Sequence, residues 1–219
     1  MKLFMILALP LSLVYTLTKS DEAAAPYASV LTGLVLGALY SFVECMFTSS
    51  YYLIRYAFFP NYAFYLFFEV VLPCLFCTAF YLIFTKKHDK ILLSLYFVFA
   101  GFYAVYMPAR VIHRNEVFDW YLLFVKPLIY TAMVIGIKNT ALLLHKTAED
   151  FAFCTPSAIS AKDRVKPFIF PVSVTLCVLI IPPAVDVMHL LNLPIWTILP
   201  AALVYCTFAV FAKKILRRS

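Results

Sequence analysis

Long apolar runs separated by short charged segments are the feature that most limits how this chain can fold. One run begins near Phe168 and continues through IIPPAVDVMHLLN at 180–192. Only 13% of the 219 residues are charged and 64% are hydrophobic, whereas a soluble domain carries about 25% charged residues. Because so few polar side chains could not cover a water-soluble globule, the sequence predicts an all-α fold, a polytopic transmembrane helix bundle.

Apolar stretches of about 17–25 residues can cross a bilayer as helices. By that criterion the sequence predicts about seven spans in a single integral membrane domain that covers residues 1–219. The approximate spans are 3–18, 26–47, 62–85, 91–112, 120–138, 168–190 and 194–212. Residues 139–167 are predicted to form a cytoplasmic loop, in which TALLLHKTAEDFAF is a candidate interfacial helix.

The distribution of basic residues predicts the orientation. Lys and Arg are concentrated at 86–90, 138–166 and 213–218, whereas the loops at the opposite ends of the spans contain Arg55 and Arg114. Since cytoplasmic loops are enriched in Lys and Arg, we predict a cytoplasmic C-terminus and an integral protein of the cell (inner) membrane. The net charge of +7 therefore reflects topology, and no basic face with interleaved aromatics predicts a nucleic-acid partner.

The first apolar segment has two interpretations. MKLFMILALPLSLVYTLTKSDEAAA resembles a secretory signal, with Lys2, an apolar core and the small residues Ala23 and Ala25 before Pro26. Signal cleavage takes place on the outer face, whereas counting back from a cytoplasmic C-terminus places residue 26 on the inner face. An uncleaved first helix with its N-terminus outside fits the other spans better, although Lys2 favours the reverse orientation.

Five of the predicted spans each contain a charged residue within the apolar segment. These residues are Glu44, Glu69, Arg110, Lys126 and Asp186. Spans that run outward carry theirs near the C-terminal end, and spans that run inward carry theirs near the N-terminal end. All five are therefore predicted to lie in the outer part of the membrane. A charge at the centre of a membrane helix costs about 2.5–3.5 kcal/mol on insertion scales, so such residues indicate binding or ion pairing.

Helical spacing places further polar side chains beside these charges. Residues at i, i+4 and i+7 share one face of a helix, so histidines and tyrosines fall on the same stripes as the charged residues. We therefore predict a polar pocket in the outer half of the bilayer for a small polar solute. The predicted ligand-binding or ion-pair residues are Glu44, Glu69, Arg110, His113, Lys126, Asp186 and His189, and the predicted pocket hydroxyls are Tyr40, Tyr65, Tyr106 and Tyr130.

Other motifs indicate packing more than chemistry. Gly33-x-x-x-Gly37 matches the close-packing motif of membrane helices and is predicted to pack within the chain. Cys74 and Cys77 form a CxxC without the second pair that zinc would need. Because the sequence also lacks HExxH and GxSxG motifs, neither a metal, a cofactor nor an enzymatic activity is predicted.

Three classes of function remain open. The preferred hypothesis is a small transporter or permease subunit, because charges of both signs and many prolines lie within the spans. A membrane sensor that signals through a membrane or cytoplasmic protein partner is the second. A structural or assembly subunit, whose charges pair internally within the lipid bilayer, is the third.

Overall fold

The computed structural model describes residues 26–48, 57–84, 91–113, 119–153 and 161–216. Every regular element in these ranges is helical, which confirms the all-α prediction for this part of the chain. The α-helices are α1 (Pro26–Thr48), α2 (Phe58–Tyr65), α3 (Leu72–Phe84), α4 (Ile91–His113), α5 (Lys126–Phe153), α6 (Ala161–Leu190) and α7 (Ile195–Leu216). There are two π-helical turns in these ranges. The first, Leu66–Val71, connects α2 to α3, and the second, Tyr121–Val125, leads into α5.

Five helical segments are long and apolar enough to cross a membrane. They are Ala28–Thr48, Phe58–Phe80, Leu95–His113, Tyr121–Thr140 and Phe168–Leu190. Ile195–Phe211 is a shorter apolar helix, and the predicted span 3–18 lies outside the described residues. These helices suit a multi-pass integral membrane protein, while the count of seven and the side of the C-terminus stay predictions.

Residues 139–167, predicted to form a loop, are largely helical where the structure describes them. Helix α5 continues without a break to Phe153, and α6 already begins at Ala161. The sequence from 139 to 153 contains neither Gly nor Pro and is rich in Ala and Leu, so no residue in it stops the helix. Most of the segment thus prolongs its two flanking helices, residues 154–160 lie outside the described part, and the interfacial position stays a prediction.

Helix α4 and the segment Tyr121–Thr140 form the centre of the bundle. In each of these two segments 78% of the apolar window is buried, against 33% in the other three spans. The two central helices are antiparallel, since Lys138 lies over Tyr96 at one level while Tyr130 contacts the ring of Tyr103 at another. The other three spans therefore surround these two, α7 packs against α5 and α6, and neighbours along the chain alternate in direction.

Helices α1 and α4 run side by side in the same direction with their backbones in contact. A Cβ atom added at Gly33 would overlap the carbonyl oxygen of Val98, and one added at Gly101 would overlap that of Val30. Gly37 lies equally close to the backbone of Phe102. The predicted packing of the Gly33-x-x-x-Gly37 motif within the chain is confirmed, and Gly101 completes it from the opposite helix.

We expect Gly33→Ala to lower the free energy of unfolding by about 1–3 kcal/mol, as overpacking of a tight interface does. The overlapping atoms belong to backbone, so no side chain can swing aside. Unfolding titrations in mild detergent would measure the change, with Ala38→Leu on the exposed face of α1 as control. A Gly33→Ala variant as stable as the control would contradict this close approach.

A tight turn joins α6 to α7 and fixes the end of α6. The N–H of Leu193 donates to the carbonyl of Met188 at 3.1 Å, and the N–H of Asn192 donates to the carbonyl of His189 at 2.9 Å. Asn192 has a φ of 55°, and this combination is the Schellman motif, in which Asn tolerates the left-handed region. The short turn predicted near 191–193 is therefore present, and it ends α6 one turn beyond Asp186.

Candidate functional site

Five elements contribute charged side chains to one buried group, which we call the charge cluster. It consists of Glu44 on α1, Glu69 in the first π-helical turn, Arg110 on α4, Lys126 on α5 and Asp186 on α6. None of the five is more than 7% exposed. Both bases lie on the two central helices, while the acids come from the three that surround them. The structure thus brings together five of the seven residues predicted to bind a ligand or form ion pairs.

The charges of the cluster alternate in sign along a row. Arg110 pairs with Oε1 of Glu69 on one side, and its Nε lies 3.9 Å from Oε1 of Glu44 on the other. The Nζ of Lys126 lies 3.4 Å from Oε2 of Glu69 and 3.5 Å from Oδ1 of Asp186. Each base is therefore placed between two acids, which suits a low-dielectric interior where unpaired charge is costly.

Tyrosine side chains complete the coordination of the carboxylates. The hydroxyl of Tyr130 contacts Oε2 of Glu69 and lies 2.8 Å from Oδ2 of Asp186. The hydroxyl of Tyr121 donates to Oδ1 of Asp186 at 2.6 Å. The ring of Tyr65 lies beneath both cations, with its centroid 5.0 Å from Cζ of Arg110 and 5.5 Å from Nζ of Lys126, within the range of a cation–π interaction.

The first π-helical turn determines where Glu69 points. The N–H of Leu72 donates to the carbonyl of Phe67, five residues back, and Pro73 has no N–H to donate to the carbonyl of Glu69. The hydroxyl of Tyr103 donates to this carbonyl instead, at 2.8 Å. The irregular backbone that carries Glu69 is therefore satisfied by a side chain of the central helix α4.

Two of the predicted pocket hydroxyls serve the same backbone. The hydroxyl of Tyr40 donates to the Phe68 carbonyl at 2.7 Å, and that of Tyr106 lies 3.4 Å from the same oxygen. Tyr205 of α7 makes a similar contact with α6. Its hydroxyl donates at 2.8 Å to the carbonyl of Val178, the oxygen that Pro182 leaves without a helical donor. Tyr40 thus supports the wall of the cluster, Tyr106 also lines the cavity beside Glu69 and is hydrogen-bonded to Glu44, and Tyr130 enters the cluster.

The second π-helical turn positions Lys126. The N–H of Lys126 donates to the carbonyl of Tyr121, and Pro127 follows directly. Asp119 begins this helical segment, because its Oδ1 accepts the N–H of Leu122 at 2.9 Å, as an N-cap residue does. Both central pairing partners, Glu69 and Lys126, therefore lie in or next to a π-helical turn, a distortion that occurs frequently at functional sites.

His189 lies beside the cluster and forms a separate pair. Its Nε2 is 2.8 Å from Oδ2 of Asp119, and its ring stacks on that of Tyr121 with centroids 4.1 Å apart. Both His189 and Asp119 are partly exposed, at 28% and 32%. Tyr121 thus connects the partly exposed pair to the buried carboxylate of Asp186.

His113 is not brought into the cluster. It is the last residue of α4 and its side chain is exposed, and no ion pair or hydrogen bond recorded for the described ranges links it to the five charges. The residue lies three positions beyond Arg110, so it is rotated about 60° from that side chain. At the end of a helix, this rotation is enough to turn it away from the interior.

Four polar residues in or beside the interior were not among the predicted site residues. Tyr103 shares a stripe with Arg110 and could have been included, whereas Tyr121 and Asp119 lie where the predicted span 120–138 begins. Lys138 was counted among the cytoplasmic basic residues, yet it is only 9% exposed and its Nζ lies 5.1 Å from the Tyr96 ring centroid.

The cluster is closely packed. A cavity beside Glu69, Arg110 and Lys126 has about 10 Å³ of space for the centre of a water molecule, about enough for one water. In the described part of the chain, no three His, Cys, Asp or Glu side chains are grouped as metal ligands would be. No family model, no curated protein and no solved structure matches this chain.

Proposed function

We propose that this chain is a small transporter or permease subunit of the cell membrane, whose charge cluster binds a small polar or zwitterionic solute. The supporting observation is the alternating row of three acids and two bases contributed by five helical elements. Burying ions costs several kcal/mol each even before pairing. A bundle that needed only to hold itself together could avoid this cost with apolar packing.

A zwitterion carries one positive and one negative charge, the two signs that alternate along the row. Its ammonium group can take the position of Lys126 between Glu69 and Asp186, while its carboxylate pairs with the displaced lysine. Each buried charge then keeps a partner of opposite sign throughout the exchange. Since the cavity has about 10 Å³, binding requires the helices to separate, and the two π-helical turns are the natural places to bend.

Solute binding can be tested by unfolding the purified protein in mild detergent with a panel of amino acids, betaines and polyamines. A solute present at 100 times its Kd stabilises the folded protein by about 2.7 kcal/mol. We expect this gain in the wild type and in Lys138→Met, which removes a buried lysine of α5 outside the cluster, but not in Lys126→Met. No gain with any solute, or an equal gain in Lys126→Met, would contradict the proposal.

A structural role is the second candidate, favoured by the internal pairing and the small cavity. For that role, Lys126→Met and Asp186→Asn should each lower stability, and the double variant should regain the loss. For a transporter, the single variants fold but lose solute binding, and proteoliposomes take up the solute that stabilises the wild type. A solute that binds without being taken up would favour a sensor with a protein partner.

The proposed orientation has a separate test. We expect a reporter fused after Ser219 to be cytoplasmic, because the basic segments then lie inside. An extracytoplasmic reporter would invert the bundle and place the cluster in the inner half of the bilayer.

A further inference from the structure

We propose that the charge cluster binds one proton, carried by the carboxyl group of Asp186 and shared with Glu69 through the hydroxyl of Tyr130. The inference goes beyond the proposed function, because the cluster would hold this proton with no solute present. It depends on the hydrogen-bond donors between Asp186, Tyr130 and Glu69, and the charges of the described residues agree with it.

Among the residues that the structure describes, the cluster contains one more acid than base. Three acids face two bases in the cluster, and all five side chains are at most 7% exposed. Beside the cluster, His189 is paired with Asp119. A buried carboxylate without compensation is costly enough that the group takes up a proton instead.

The hydrogen atoms lead to the same result. The Tyr130 oxygen contacts Oε2 of Glu69 and lies 2.8 Å from Oδ2 of Asp186. A phenol has one hydrogen to donate, and an ionised carboxylate can only accept. With both carboxylates ionised, one of the two contacts would bring lone pairs together. With one carboxyl protonated, that group donates to the phenol oxygen and the phenol donates to the other group.

The ion pairs identify Asp186 as the protonated group. Glu69 contacts both cations, Arg110 and Lys126, whereas Asp186 pairs with Lys126 at 3.5 Å. The anionic form is therefore stabilised more strongly at Glu69. Oδ2–H of Asp186 donates to Tyr130, whose O–H donates to Glu69, and Oδ1 of Asp186 still accepts the hydrogen of Tyr121.

This arrangement allows the proton to move without leaving the interior. When the O–H bond of Asp186 breaks, the Tyr130 oxygen gains that proton, and the original Tyr130 hydrogen bonds to Oε2 of Glu69. Two O–H bonds break and two form, so no electrons are exchanged. The negative charge passes from the π-helical turn to α6. The titratable or charged groups around this bridge include Lys126, Tyr103, Tyr121, Arg110 and, beyond Tyr121, the His189–Asp119 pair.

Infrared spectroscopy of the full chain can detect the proton directly. At pH 7.5 exposed carboxyl groups are ionised, since their pKa values lie near 4, so a carboxylic-acid C=O band reports a buried protonated group. We expect such a band in a detergent without carbonyl groups and with no solute added. Labelling aspartate with ¹³C at the carboxyl carbon should shift the band, whereas labelling glutamate should leave it in place.

Variants then locate the group. Asp186→Asn should abolish the band, and Asp119→Asn, which removes an aspartate at the edge of the same site, should retain it. Absence of the band, no shift with ¹³C-aspartate, or its persistence in Asp186→Asn would overturn the inference. The labelling uses the wild-type protein, so a variant that failed to fold would not prevent a decision. Because no solute is involved, the result is also independent of the transport test.

Discussion

Glu69→Gln is expected to lower the free energy of unfolding by about 3–5 kcal/mol, the usual result of removing one member of a buried ion pair. Glu69 is fully buried and contacts both cations of the cluster. The amide keeps the size of the side chain but removes one carboxylate partner of Arg110. Glu44 stays beside Arg110, with 3.9 Å between its Oε1 and the Nε of Arg110. Chemical unfolding in mixed detergent micelles would measure the loss.

The matched control is Asp186→Asn, which also replaces a buried carboxyl with an amide of the same shape. If Asp186 carries a proton, this change exchanges one neutral group for another, and we expect a loss below about 1 kcal/mol. An equal loss in the two variants would contradict the central position of Glu69. The comparison requires no ligand and no assumption about orientation.

Arg110→Met is expected to have an effect of similar size, about 3–5 kcal/mol, because it leaves two buried acids beside an apolar side chain. Arg110 is 4% exposed and pairs with both Glu69 and Glu44. In the double variant with Glu69→Gln, the two losses should overlap. We expect the measured sum to exceed the loss in the double variant by about 0.5–3 kcal/mol.

Lys138→Met provides the control for this cycle. Lys138 is also a buried base of a central helix, but it lies 12 positions from Lys126, about 18 Å along α5. Its loss should add to that of Glu69→Gln within about 0.5 kcal/mol, as for distant sites. Additivity between Arg110→Met and Glu69→Gln as well would mean that the two residues do not stabilise one another.

The common level of the charged residues in the bundle could be predicted because it depends only on span order and helix rise. A helix rises 1.5 Å per residue, so an error of two or three residues in a boundary shifts a side chain by about 3–5 Å. Glu44 and Arg110 occupy the same level although the sequence separates them widely. The close packing of Gly33 and Gly37 was equally accessible, since small residues one turn apart favour one contact geometry.

The direction of each side chain around its helix was harder to predict. An error of one residue rotates a position by about 100°, and the two π-helical turns introduce such shifts where only Pro73 and Pro127 hint at them. The role of Tyr40 differs from that of a predicted pocket hydroxyl for this reason, because a carbonyl group left without a donor by the π-helical turn attracts it. His113 points outward at the end of its helix.

The π-helical turn Leu66–Val71 is equivalent to one surplus residue within an otherwise regular helix. Residues before and after it therefore follow two different phases, offset by about 100°. Deleting a single residue from this segment would restore one phase and turn either Glu69 or the whole of α2 away from its present neighbours. A one-residue gap at this point in a related sequence would thus predict the loss of the charge cluster, even if all five charged residues were retained.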